Sequence, residues 1–167
     1  MNTIRNLLTL CVVTVMALPL TGCGEKLPDG MPTPVPCEIV VMQESTPLVG
    51  AVVRLHSESD SRWTAMGRTD ESGKAVIYTL DRYKGAVPGK YKVLVTKTET
   101  DKPAETGSSQ SSEGTQATTT LASYNVVEER FGAAATTTLE IEVAKGTPSH
   151  TLDVGRAVRL KIEEDRR

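Results

Sequence analysis

The chain has 167 residues, 19 basic against 21 acidic side chains, a net charge of −2, 38% apolar residues and only 4% aromatic ones. That balance offers no basic field to neutralise phosphates, which excludes nucleic acid as a partner. The apolar content suffices for one modest core, and two His and three Cys leave few side chains for metal or nucleophilic chemistry.

The first element is a leader. Arg5 and the α-amino group make a short positive region, and Leu7 to Leu18 is then uncharged, with Thr9 and Thr14 the only polar interruptions before Pro19. A run of about 12–14 residues is too short to cross a hydrocarbon layer about 30 Å thick. It suits the apolar region of an export signal that is cut away. A buried core helix would be amphipathic, and this run is uniformly apolar. Loss of the leader removes Arg5, its one charged side chain, and makes the mature chain one unit more negative.

Leu20-Thr21-Gly22-Cys23 closes this segment and resembles the lipobox of bacterial lipoproteins, a Leu, two small residues and a Cys. The resemblance implies a signal peptide over 1–22 and a diacylglyceryl thioether on Cys23, the new N-terminus and the expected contact with the membrane. Each buried methylene contributes about 0.8 kcal/mol, so one acyl chain holds marginally and two or three hold firmly. In proteobacterial lipoproteins an Asp after the Cys favours the inner membrane. Gly24 at that position implies export to the outer membrane, on its periplasmic face or at the cell surface. Cys11 leaves with the leader and Cys23 is acylated, so Cys37 stands alone without a disulfide partner. Its place beside Glu38-Ile39-Val40-Val41 marks it as a small buried strand residue.

Glu25–Pro36 carries Pro28, Pro32, Pro34 and Pro36. It reads, with Cys23, as an extended tether over 23–36 that lifts the domain off the membrane. Short strands follow over 37–156. Cys37–Gln43 is β-branched, and Thr46–Gly50 is a turn. Ala51–His56 alternates, with Ala51, Val53 and Leu55 on one face. Thr64–Thr69 is a short strand, Asp70–Gly73 a tight turn, and Lys74–Leu80 a strand. After the Val87–Gly89 turn, Lys90–Lys97 places Tyr91, Val93 and Val95 on one face. Residues 98–120 hold almost no apolar side chain beyond Ala and read as a disordered loop. Order returns around Tyr124. Thr136–Val143 points Leu139, Ile141 and Val143 inward, Ser149–Val154 is a further strand, and 157–167 is a charged tail or an added edge strand. Repeated short strands with turns between them predict an all-β fold, an antiparallel β-sandwich.

Three stretches carry a second resemblance. Pro47–Val53 (PLVGAVV), Gly67–Ala75 (GRTDESGKA) and Pro88–Val93 (PGKYKV) are similar to segments of carboxypeptidase regulatory-like domains. Val127–Val143 is similar to a segment of small planctomycete lipoproteins with that domain, with Phe131 at the family's Tyr and Leu139 at its Leu. Ala75 stands where the family often has Phe, and Val127 where it has Pro. Over 37–154 the resemblance implies a seven-stranded prealbumin- or transthyretin-like (Ig-like) sandwich whose motif residues define the fold. The family's name derives from a domain appended to metallopeptidases and implies no proteolysis here.

Nothing in the motifs marks a catalyst. Transthyretin relatives that hydrolyse 5-hydroxyisourate end in Tyr-Arg-Gly-Ser, whereas this chain ends in Glu-Glu-Asp-Arg-Arg. His56 and His150 read as solvent-facing strand residues, and Asp60, Asp70 and Glu71 as turn acids. The expectation is a non-enzyme without cofactor, metal or catalytic residue: a lipid-anchored structural or interaction module of the cell envelope. A surface carbohydrate- or peptide-binding module is the alternative, with Trp63 and Tyr83, aromatics near loops, as its candidate contacts. A small hydrolase ranks last. An envelope protein or polysaccharide stays open as a partner.

Overall fold

Alternation of β-branched and polar residues gives each strand one wettable and one apolar face, and two such apolar faces exclude water only by stacking. The computed structural model describes residues 26–101 and 121–162 and shows an all-β sandwich. In chain order its strands are β1 (Glu38–Gln43), β2 (Thr46–Pro47), β3 (Val52–His56), β4 (Ala65–Arg68), β5 (Lys74–Val76), β6 (Tyr78–Thr79) and β7 (Tyr83–Lys84). Then come β8 (Gly89–Thr96), β9 (Thr98–Thr100), β10 (Ser123–Asn125), β11 (Glu140–Val143), β12 (Ser149–Asp153) and β13 (Leu160–Lys161). The leader, Cys23, residues 102–120 and residues 163–167 lie outside the described residues.

One layer is a six-stranded sheet in the order β11-β8-β3-β4-β6-β7. The other is built on β1, with β12 on one margin and β2 and β5 on the other. Val53, Val93 and Val95 from the first sheet and Ile39 and Val41 from the second are fully buried. Each such side chain contributes about 1.5–3 kcal/mol of burial. The expected inward residues Ala51, Leu55, Tyr91, Ile141 and Val143 are all in this core, and Cys37 is buried at its edge.

Several features depart from the sequence-based expectations. The β1–β12 ladder is parallel, pairing Glu38 with Ser149 and Met42 with Asp153. Segment 144–148 carries the chain from one sheet to the other, so β12 is not bound to form a hairpin with β11. The strand expected over 74–80 is two, because the chain changes sheets at Ile77. Lys74–Val76 pair with β1 and Tyr78–Thr79 with β4, while the Ile77 amide still bonds Cys37 O at 3.0 Å. The turn expected at 46–50 is realised at Val49-Gly50, but the short strand β2 precedes it, and a second, tight hairpin turn stands earlier at Glu44-Ser45 (φ 49° and 63°). The loop expected over 98–120 starts instead with β9, which with β10 and β13 makes a small third sheet. Of the two readings of the C-terminal segment, the edge strand is realised at Leu160–Lys161, with Leu160 and Ile162 still exposed.

The tether also ends sooner than expected. Met31 and Val35 are buried, and Val35 exchanges both backbone hydrogen bonds with Ala86, at 2.9 and 3.0 Å. Prolines at 32, 34 and 36 hold the backbone extended while leaving the Val35 amide free to pair. A helical turn that alternation does not reveal, Glu129–Gly132, drives Phe131 into the core.

Gly85 makes the closest approach. Its φ is 105°, and a Cβ there would stand 2.2 Å from Val35 O. Gly146 has a similar φ of 95° with open space around it. Gly85→Ala is expected to cost about 3 kcal/mol or more, because backbone must move, and Gly146→Ala about 1 kcal/mol. Urea unfolding of the mature chain checks the difference. Equal midpoints would refute the packing described at Val35.

Candidate functional site

Trp63 closes the β3–β4 loop, just before β4. Its ring lies 5.3 Å from the Arg62 guanidinium. Arg62 in turn grips Asp60, with Nη2 to Oδ2 at 2.7 Å and Nε to Oδ1 at 3.0 Å. These hydrogen bonds hold the Asp60 carboxyl down at about 2. The indole N–H is buried without a hydrogen-bond partner, yet it stands near enough to add to the lowering at Asp60. Tyr83 begins β7, across from Thr79. Its hydroxyl donates to Lys26 O at 3.1 Å, and the Arg82 guanidinium lies 5.7 Å from its ring. The Leu80 amide bonds Thr64 O, so Trp63 and the β6–β7 hairpin belong to the same end of the sandwich. Both aromatics are half-buried.

The aromatic that faces outward is Tyr78, 38% exposed. It lines a groove of about 460 Å³ on the outer face of the six-stranded sheet, with Val52, Met66 and Val76 as apolar neighbours and Arg68, Lys74, Asp70 and Asp81 as charged ones. Gly67 lies within it. A Cβ there would meet Val76 O at 2.5 Å and the buried Ile77 at 3.1 Å, so the close β4–β5 approach requires a glycine at this position. The signal for Tyr78 was present in the sequence, since it alternates out of phase with Ile77 and Thr79. A second hollow, about 330 Å³, lies along β8 and β11 among Glu58, Lys90, Lys92, Glu140 and Glu142. There Lys92 Nζ and Glu58 Oε1 pair at 2.9 Å, a contact that lowers the Glu58 carboxyl and raises the Lys92 ammonium.

The two histidines are not brought together. His56 is exposed on the outer face of β3, opposite Lys92. His150 sits on β12 beside Ile39, half-buried, with Nε2 shielded and unpartnered. It is thus less solvent-facing than its strand position suggested. Asp70 is a turn acid: its Oδ1 accepts from the Ser72 amide, the Ser72 hydroxyl and the Lys74 amide, and these contacts lower its carboxyl. Among the described residues no three His, Cys, Asp or Glu gather as a metal site. Cys23 lies outside the described residues, so its surroundings enter only through the chain that follows it.

Two buried hydroxyls at this end are satisfied by backbone. The Tyr91 hydroxyl donates to Val87 O at 2.7 Å, and the Thr79 hydroxyl to Gly85 O at 2.8 Å. Burial, and after it the charge of Glu38, pushes the Cys37 thiol up to about 11.

Comparison of the chain with protein-family models, with characterised proteins and with solved structures finds no match.

The raised Cys37 thiol has a sign that can be checked. A thiol whose folded pKa lies above its unfolded value keeps its stabilising neutral form below about pH 9 and loses that contribution as pH rises towards 11. At pH 8 the folded chain should hold about a hundredfold less Cys37 thiolate than a free thiol would. Iodoacetamide should therefore modify Cys37 at least that much more slowly in the native protein than in urea. Equal rates would show that the thiol is not enclosed.

Proposed function

We propose that this chain is a lipid-anchored module of the bacterial cell envelope, of the carboxypeptidase regulatory-like (transthyretin-like) type, acting by structure or interaction rather than by catalysis. The observation that carries the reading is the Leu20-Thr21-Gly22-Cys23 sequence at the end of a leader whose positive start precedes an uncharged apolar run, followed within a few residues by a packed β domain. Acyl chains on Cys23 would hold it by hydrophobic burial, with two or three chains needed for firm retention. Gly24 favours the outer membrane. The residues that carry the family resemblance occupy turn and core positions: Gly50 and Gly73 have φ of 73° and 74°, Pro88-Gly89 leads into β8, and Tyr91 is buried. A shared fold would require those roles, and none of them is chemical.

A second reading, a surface carbohydrate- or peptide-binding module, is favoured by the Tyr78 groove, where an exposed aromatic ring and apolar neighbours meet both charges. Sugar faces and peptide side chains pack on such rings. The hydrolase reading has no comparable support, since His56 and His150 stand in different sheets.

Cys23→Ser in the full chain should leave uncleaved precursor, abolish incorporation of a palmitate analogue and release the protein from the membrane fraction. Unchanged labelling would overturn the anchor. For the second reading, fragment 24–167 should be retarded in gels containing envelope polysaccharide, and Tyr78→Ala should remove the retardation. Free migration of the parent fragment would count against polysaccharide binding.

A further inference from the structure

Only Gly24 and Glu25 separate Cys23 from Lys26. An extended chain spans at most about 3.3–3.6 Å per residue, so the Cα atoms of Cys23 and Lys26 stand within about 11 Å of each other. Lys26 is itself held, since its carbonyl accepts the Tyr83 hydroxyl at 3.1 Å. Downstream, Met31 is buried and Val35 is paired with Ala86. The leash from an acylated Cys23 to the body of the sandwich is therefore short, and it meets the body at the β6–β7 hairpin.

That hairpin has an unusual tip. Leu80 and Asp81 have φ of 54° and 55°, a region that bulky L residues seldom enter. The backbone there presents Leu80 with 38% of its surface exposed. Arg82, with its guanidinium 5.7 Å from the Tyr83 ring, follows, and then the exposed Lys84. Asp81 is the one acid of the hairpin. A protruding leucine, an aromatic ring and basic side chains are the composition of segments that settle at a bilayer interface. Basic groups there are drawn to anionic headgroups.

We propose that the β6–β7 hairpin, together with Lys26, is a bilayer-contacting face that seats the sandwich directly on the membrane instead of suspending it from a tether. The inference rests on the acylation of Cys23 proposed above and adds where and how the domain meets the lipid. The opposite end of β4, with the Asp70–Gly73 turn, then points away from the membrane and leaves that end of the Tyr78 groove open.

The full chain, exported with its own leader and reconstituted in phosphatidylethanolamine–phosphatidylglycerol vesicles, provides the test. A nitroxide is placed at the hairpin through Asp81→Cys, or at the far end through Glu71→Cys. Cys37, buried and largely un-ionised, does not compete for the label. Collisions with a water-soluble nickel chelate should be several-fold rarer at 81 than at 71, and the difference should vanish when Leu80→Ser and Lys84→Glu are added. A thermal melt confirms that the altered protein is folded. Intact mass reports acylation separately. An acylated chain with equally accessible labels, or one whose protection survives the added substitutions, overturns the seating and leaves the anchor standing. A bare Cys23 overturns the anchor and the seating with it.

Discussion

The segment from Val35 to Gln43 is hydrogen-bonded along both margins, and the sandwich is assembled around it. Val35 pairs with Ala86, Cys37 accepts from Ile77, and β1 holds β5 and β2 on one side and β12 on the other. Ile39 and Val41 on this ribbon are fully buried against the opposite sheet. A strand with both margins occupied cannot slip by one residue without turning those two side chains to solvent. Register in the whole smaller sheet therefore follows from β1.

The core has few aromatic rings, and small hydroxyl-bearing residues complete it. Thr69 bonds Leu48 O and the Ala51 amide, and Thr137 bonds Val93 O. Thr69 joins the two connections that flank β3 and β4, and Thr137 ties its loop to β8. A buried hydroxyl without a partner would cost about 1–3 kcal/mol, so these threonines are tolerated only because the backbone at that point has an unpaired group to offer. The result is a compact body in which the Pro-rich segment is a structural member rather than a spacer.

That distinction bears on function. If Cys23 carries lipid, rigidity beginning at Lys26 fixes how the body is presented to its surroundings. In that case the loops at the Trp63 and Tyr83 end would lie near the bilayer, and the far turns and the small third sheet away from it. The outer face of the larger sheet, with Tyr78 between Met66 and Val76, would then stand as a wall available to envelope partners. The two aromatics favoured by the sequence are half-buried, one beside an ion pair and the other bonded to the incoming chain.

Sequence alone determined the class of fold and much of its core, because period-two alternation in Ala51–Leu55, Tyr91–Val95 and Leu139–Val143 is a local property that survives any arrangement of the strands. It also singled out the buried Cys37 and the turn at Asp70–Gly73, where the relevant contacts lie within a few residues. What only the tertiary structure decided depends on partners distant in the chain. The parallel β12, the change of sheet at Ile77 and the capture of Val35 by Ala86 each require groups tens of residues away. The outward face of Tyr78 was legible in its alternation with Ile77 and Thr79, but the half-burial of Trp63 and Tyr83 was not, because the groups that cover them come from other segments of the assembled chain.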